Sequence, residues 1–509
     1  MKLIKPFITV SSFTFVSKIL GFIRDILIAT IVGAGLIADV FFVAFKLPNF
    51  FRRMFAEGAF TAAFIPIFSS ILKQENKRKA LQFASEAFSI LFFILLIIIL
   101  IFEFFMPLVV YILAPGFAKD PSKFELLIEL SRITFPYLLF ISLVSLLSGI
   151  LNSFNKFAIG AASPILLNLS FILFMLNFEE VFSTKGHMLS WAVFFGGILQ
   201  LLFLFYGIVK NKFFIFFPKP KYTNKIRRLL KLIIPGAIGA GVVQINLLID
   251  IILASFLPSG SISYLYYAER INHLPVALIG FAIGTVLLPT LSKQISKNEN
   301  KKANYTQNRA LEFSILLTLP AAIAIFILAN PIISSFFERG EFLSQDRILA
   351  ANALQAFAIG IPAYVFVKIL TPAFFARQNT VTPMKIASFC VLINFLLNII
   401  LMQYYQHVGI AIATAIASWT NAFLLFIVLY KTKKIEIDQR LKKIMGKVSI
   451  ISIIFGYVIF YFKDLINISS DYKLFYLIIF VLIGMFLFGI LCLLFRVIDL
   501  SDIKLIKAK

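Results

Sequence analysis

The stretch ADVFFVAFKLPNFFRRMFAEGAFTAAFIPIFSSI, Ala38 to Ile71, is long and apolar enough to cross a bilayer, yet it carries Asp39, Lys46, Arg52, Arg53 and Glu57. A charge at the centre of a membrane helix costs roughly 2.5–3.5 kcal/mol even on insertion scales, so these side chains are expected to face a water-filled cavity or one another. Lys46, Asn49, Arg53 and Glu57 follow at intervals of three and four, which places them on one helical face. Pro48 removes a backbone donor and Gly58 loosens the chain, so the spacing predicts a bent or interrupted helix whose irregular backbone lines the cavity.

Working outward, the whole chain of 509 residues is 60% hydrophobic, and its apolar runs have the length of bilayer spans. That excludes a soluble protein and defines an all-α polytopic membrane protein. The formal charge of +24 falls mostly in short links between the runs, the distribution of cytoplasmic loops rather than of a nucleic-acid surface, so no nucleic-acid partner is expected. Cys390 and Cys492 both lie in apolar runs and read as small buried hydrophobes. The N-terminal stretch imitates a signal peptide, but Lys18, Arg24 and Asp25 spoil that reading, and it is retained as the first span.

Apolar runs and their breakers give about fourteen transmembrane helices. Ala38 to Ile71, Phe83 to Leu113 and Leu126 to Leu151 are each read as one span, and Val381 to Tyr404 and Val408 to Tyr430 as two. Alternate links are basic, which puts both termini in the cytoplasm. An internal repeat runs through the chain. Arg24-Asp25-Ile26-Leu27-Ile28-Ala29-Thr30 resembles Ile249-Asp250-Ile251-Ile252-Leu253-Ala254-Ser255, Pro66 corresponds to Pro289, Pro136 to Pro362, Asn155 to Asn379 and Asn168 to Asn394. The repeat implies two lobes of about six helices each, related by a parallel repeat, with the substrate path between them and two C-terminal helices appended. The expected domains are an N-lobe over residues 1–209, a basic link over 210–228, a C-lobe over 229–430, and a C-terminal region over 431–509. The basic, Phe-rich link reads either as a segment lying on the inner membrane surface or as a solvated loop.

The span at Ser261 to Leu291 repeats the anomaly of the second, with Glu269, Arg270, Asn272 and His273 ahead of Pro275. Lys18, Arg24, Arg52, Arg53 and Arg270, accompanied by Asp25, Asp39, Glu57 and Glu269, form a cationic set suited to an anionic substrate, because arginine binds phosphate through planar paired donors and stays charged. The competing reading is that these residues pair only to hold helices together. A second set, Asn246 and Asp250, Asn394 and Asn398, and Thr414, offers oxygen ligands to a hard cation such as Na⁺, or else interhelical hydrogen bonds. His187, His273 and His407 lack metal-ligand spacing, and His187 and His407 read as loop residues. With no P-loop or nucleophile elbow in the links, the chain reads as a transporter and not an enzyme, with no cofactor beyond a candidate Na⁺.

Four stretches carry a resemblance to the MurJ (MviN) lipid II flippase family of the multidrug/oligosaccharidyl-lipid/polysaccharide exporter superfamily. They are Arg24-Asp25, Ala38 to Pro66, ITFPYLLFISLVSLLSGILNSFNKF at Ile133 to Phe157, and YYAERINHLPVALIGFAIGTVLLPTLS at Tyr266 to Ser292. The resemblance implies a flippase that moves the undecaprenyl-pyrophosphate-linked peptidoglycan precursor from the inner to the outer leaflet of the bacterial cytoplasmic membrane. It implies that Arg24, Arg52 and Arg270 engage the pyrophosphate and headgroup, with Asp25, Asp39, Lys46 and Glu57 around them. Lys18 stands where arginine is usual in some members; its charge survives but the paired donors do not. It also implies a Na⁺ site at Asp250, Asn394, Asn398 and Thr414, where Asn398 replaces an acidic ligand. The expected state is a monomer among membrane lipids, with cell-wall synthesis proteins as candidate partners. A flippase for another lipid-linked glycan, or a cation-coupled drug antiporter of the same superfamily, is the alternative.

Overall fold

A computed structural model describes residues 4–53, 60–468 and 472–497, and among these it contains helices and no strand. By contacts the chain forms two compact units, one of Met1–Ile262 with Arg339–Phe342 and one of Ser263–Glu338 with Leu343–Lys509.

The first unit begins with α1 (Ile4–Val32) and α2 (Leu36–Phe51), separated at Gly33, whose φ of 77° lies in the left-handed region. Expected as one span, Ala38 to Ile71 is divided: α2 gives way to π-helical geometry at Arg52, Arg53 and Phe60, and α3 (Thr61–Gln74) follows. Pro48 does not end α2. Lacking an N–H, it leaves the Ala44 carbonyl without its helical partner, and the Thr134 hydroxyl donates to that carbonyl at 3.2 Å.

The run at Phe83 to Leu113 is likewise two helices, α4 (Lys77–Phe104) and α5 (Met106–Leu113). The run at Leu126 to Leu151 breaks near Pro136 into α6 (Pro121–Thr134) and α7 (Tyr137–Ser153). α8 (Phe157–Asn177), α9 (Lys185–Lys210) and α10 (Asn224–Ala254) complete the unit. Side chains supply the missing backbone acceptors at several N-termini: Asn76 for α4, Asp120 for α6, Thr184 for α9 and Thr223 for α10. The core is a phenylalanine stack in which Phe64 lies 5.5 Å from Phe60, 5.4 Å from Phe68 and 5.7 Å from Phe83, ring centre to ring centre.

A short finger, Arg339–Phe342, completes this first unit from far along the chain. Its Glu341 N–H donates to the Thr30 carbonyl at 2.9 Å, and Lys185 Nζ donates to the Ile31 carbonyl at 2.7 Å and to Glu341 Oε1 at 3.1 Å. A Cβ on Gly33 would stand 2.6 Å from the Glu341 carbonyl oxygen, and one on Gly340, where φ is 55°, 2.2 Å from that of Thr30. Only glycine permits this approach.

The second unit holds α11 (Ser261–Ser296) from Ser263 onward, α12 (Asn300–Phe337), α13 (Ser344–Phe375), α14 (Val381–Lys431), α15 (Gln439–Phe462) and α16 (Lys473–Leu494). α14 is two helical arms joined at Gln406, where φ 50° and ψ −130° interrupt the helix, so the two spans expected there meet with almost no linker. His407 at that turn is buried, not a loop residue, and its Nε2 lies 3.0 Å from the Leu349 carbonyl oxygen. His187 is also helical, in the first turn of α9. Val276, Ile361, Val365, Leu425 and Val448 form the core of this unit, and Cys390 and Cys492 are buried thiols as read.

Ten helices among the described residues are long and apolar enough to cross a membrane, α6 and α7 counting together as one over Pro121–Ser153. Three of the four fewer than the expected fourteen arise where charge and breaks interrupt the pattern, and the fourth is α10, of which only the shorter stretch Gln244–Ala254 is counted. α1 carries Lys18, Arg24 and Asp25, α2 and α3 are each shorter than a bilayer, and the two arms of α14, which meet at Gln406, are counted together.

Candidate functional site

The charges in the spans are organised differently in each unit. In the first, Arg24 on α1 is buried, and its guanidinium is held on all three nitrogens: Nε and Nη2 donate to Asp25 Oδ1 at 3.0 and 2.7 Å, and Nη1 donates to Asn168 Oδ1 at 3.1 Å. Asn168, on α8, is oriented in turn by donating from Nδ2 to the Ser17 carbonyl at 3.0 Å, and the Phe171 ring lies 5.1 Å from the Arg24 guanidinium carbon. Asp25 is 1% exposed, so the pair is withdrawn from solvent.

A second cluster binds the turn ahead of α11. Asp39 on α2 is 1% exposed, and its Oδ2 accepts the Gly260 N–H at 2.7 Å. Lys123 on α6 donates from Nζ to Ser259 Oγ at 3.2 Å, with the Phe117 ring centre 3.8 Å away. Lys123 falls between the apolar runs Phe83 to Leu113 and Leu126 to Leu151, where a solvated link is expected, but the structure buries it in a helix. The missed signal is Asp120, whose carboxylate accepts the Ser122 and Lys123 N–H groups and so starts α6 at Pro121, five residues earlier than the apolar run at Leu126.

At the end of α2, Asn49 accepts from Arg52 Nε at 3.1 Å while donating from Nδ2 to the Phe45 carbonyl, which places Arg52 at the helix's transition to π geometry. Lys46 and Arg52 are half-buried, whereas Lys18 and Arg53 are exposed. Glu57 lies outside the described residues.

In the second unit, Arg270 on α11 is half-buried; Nη2 donates to the Tyr266 hydroxyl at 2.9 Å and the guanidinium stacks over that ring at 5.0 Å. Tyr266, one helical turn before Arg270, was not singled out as its partner, although the i, i+4 spacing was visible. Glu269 lies 3.2 Å from His273 across a turn of the same helix. Of the candidate cation ligands, Asp250 lies on α10 in the first unit, whereas Asn394, Asn398 and Thr414 lie on α14 in the second. Asn394 and Asn398 are buried, and Thr414 donates its hydroxyl to the Ile410 carbonyl, leaving oxygen lone pairs for an acceptor role. No cluster of three or more His, Cys, Asp or Glu occurs among the described residues.

The arrangement is therefore one of guanidinium and ammonium groups set into apolar helices by tyrosine, asparagine and carboxylate partners. Such groups attract and orient anions in a low-dielectric setting. The fold has the same character. A solved inward-facing structure of a multidrug resistance MATE family transporter of the MOP superfamily matches 86% of this chain and 99% of its own with a TM-score of 0.67 at 15% identity, a likeness of fold. Fold and site together define a multi-pass helical membrane protein with charged groups set into its spans.

The particular family is shown by sequence. The family model described as lipid II flippase MurJ matches residues 28–482. The probable lipid II flippase MurJ of Rhizobium tropici is 40% identical over 465 residues, covering 91% of this chain and 87% of the relative. A solved structure of lipid II flippase MurJ in an inward closed conformation matches 96% of this chain and 99% of its own, with a TM-score of 0.80 at 30% identity. The chain belongs to the MurJ lipid II flippase family, in agreement with the resemblance carried by Ala38 to Pro66 and Tyr266 to Ser292.

Proposed function

We propose that this protein moves lipid II, the undecaprenyl-pyrophosphate-linked peptidoglycan precursor, from the inner to the outer leaflet of the bacterial cytoplasmic membrane. The observation that carries the reading is the family match over residues 28–482, which spans both compact units and includes Arg52 and Arg270. The cycle is alternating access, and the fold likeness to an inward closed flippase supports it. The headgroup enters a cationic path while the lipid tail stays in the bilayer.

In this reading Arg52 and Arg270 engage the pyrophosphate, helped by Lys18, Lys46 and Arg53, with Glu57 and Glu269 near the path. Arg24 joins them when a phosphate oxygen replaces Asn168 Oδ1 on Nη1, the one donor nitrogen of Arg24 not committed to Asp25. Asp39 secures the turn at Gly260. Na⁺ held by Asp250, Asn394, Asn398 and Thr414 is one driver of the return step. Membrane potential is the other, since a net charge crossing the field gains about 2.3 kcal/mol per 100 mV. Both termini are cytoplasmic, the protein acts as a monomer, and cell-wall synthesis proteins are its natural neighbours.

The test is the appearance of lipid II in the outer leaflet of cells depleted of their own flippase. The parent chain restores it, and Arg270→Ala, expressed to the same level, does not. A well-expressed parent that fails to restore it would transfer the assignment to another lipid-linked glycan.

A further inference from the structure

Away from the charged spans, the chain leaving α9 makes a sharp turn. Lys212 takes a left-handed conformation with φ 54°, its N–H bonded to the Val209 carbonyl and that of Phe213 to the Ile208 carbonyl. This closure directs the next residues along α4 without helix. The Phe216 N–H donates to Ser85 Oγ at 3.2 Å, Ser89 Oγ donates to the Pro218 carbonyl at 2.6 Å, and the Phe217 ring packs 5.2 Å from that of Phe92. Side chains of α4 thus satisfy the segment's backbone, and its phenyl groups are left outward: Phe214 is 81% exposed and Phe216 53%.

Where this segment meets the start of α4, Lys77, Arg78, Gln82, Lys212, Phe214 and Phe216 surround a cleft of about 580 Å³. Lys77 is steadied over the Phe213 ring at 4.8 Å. The neighbouring carboxylates are engaged elsewhere: Glu75 with Lys225 at 2.6 Å and Lys79 at 3.2 Å, and Glu86 with Gln82 and Thr223. The cleft therefore presents net positive charge beside exposed aromatic surface, on a helix with the length and composition of a bilayer span.

We infer that this cleft seats the phosphate of an anionic phospholipid at Lys77, Arg78 and Lys212, with an acyl chain lying along Phe214 and Phe216. A basic pocket at the end of a membrane helix suits an anionic headgroup. Arg78 supplies paired planar donors and the lysines supply point charges. The phenyl groups give the chain a surface that a free phosphate would not use. The inference concerns a site distinct from Arg24, Arg52 and Arg270, and it does not rest on the identity of the transported lipid.

The test is lipid retention by the full-length chain in native mass spectrometry, from micelles holding equal phosphatidylglycerol and phosphatidylethanolamine. The parent retains phosphatidylglycerol preferentially. Each cation near an anionic headgroup is worth ~1 kcal/mol, about fivefold, so Arg78→Gln reduces the preference about fivefold and the Lys77→Gln, Arg78→Gln, Lys212→Gln chain about a hundredfold. Lys77→Arg with Lys212→Arg keeps it, which separates charge from misfolding, and so does Lys431→Gln with Lys433→Gln on another basic link. Phe214→Ser weakens retention of both lipids. Equal retention by the parent, survival of the preference in the triple variant, its loss in the Lys431/Lys433 control, or displacement of phosphatidylglycerol by equimolar undecaprenyl pyrophosphate would each overturn the inference. Transport is not the readout, so this result and that for lipid II flipping fail separately.

Discussion

Arg24 and Arg270 are the same side chain in two kinds of setting. Arg24 is withdrawn beside Asp25 and fastened to another helix through Asn168, whereas Arg270 is half-buried and held through a tyrosine of its own helix. The first is built into the packing of α1 against α8. The second is positioned by a partner one turn away and keeps more of its surface accessible. Charge within a span thus serves two ends here, and the geometry of the partner tells which.

Substitution to alanine separates them most sharply. Arg24→Ala leaves a buried carboxylate without its guanidinium and is expected to lower stability by about 3–5 kcal/mol. Arg270→Ala, measured in the same thermal unfolding series, is expected to lower it by less than about 1 kcal/mol while abolishing transport. Equal losses of stability in the two variants would break the distinction.

A smaller effect follows at the link between Arg24 and α8. Asn168→Leu removes the acceptor for Arg24 Nη1 and should cost about 1.5–3 kcal/mol, as hydrogen bonds to charged groups do. Asn168→Asp, which restores an acceptor, should recover most of the loss in the same unfolding measurement. Recovery equal to that given by Asn168→Ala would show that volume, not the hydrogen bond, matters there.

The smallest expected effect is at Glu338, just beyond α12, where burial raises the carboxyl pKa but hydrogen bonds from Ser334 and Ser344 and the charges of Arg347 and Lys473 outweigh it, so that it lies below its ordinary 4.5. A depressed folded-state pKa means that this carboxylate stabilises the fold above 4.5, and that the contribution is lost as pH falls through the lower folded value. Glu338→Gln should therefore flatten the acid limb of the melting-temperature profile and leave its shape near neutrality unchanged. A parent and variant with parallel acid limbs would remove Glu338 from the account.

The helical, multi-span character was legible because apolar runs of bilayer length have few other uses. Arg24, Asp39 and Arg270 stood out for the same reason, since a charge in such a run demands a partner or a cavity. What could not be read was which partner. Asn168 lies 144 residues from Arg24, and Ser259 lies 136 from Lys123, separations at which no local spacing rule operates. Lys123 also looked like part of a solvated link, because the start of α6 is set by an Asp120 cap rather than by hydrophobicity. His407 was misjudged because the turn between the arms of α14 is too tight to carry an exposed loop. The break after α2 was anticipated from Pro48, but the helix survives the proline with the help of Thr134, and the irregular geometry begins at Arg52 instead.

The finger Arg339–Phe342 sets a timetable for biosynthesis. It belongs to the unit that otherwise ends at Ile262. At ~5–20 residues per second, the ribosome needs roughly 4–16 s after that point to supply it. Throughout that interval Lys185 and the Thr30 carbonyl lack the chain that finally closes over them. The first half of the protein is thus born incomplete and waits for four residues of the second, so a chain truncated before Arg339 loses more than the helices it lacks.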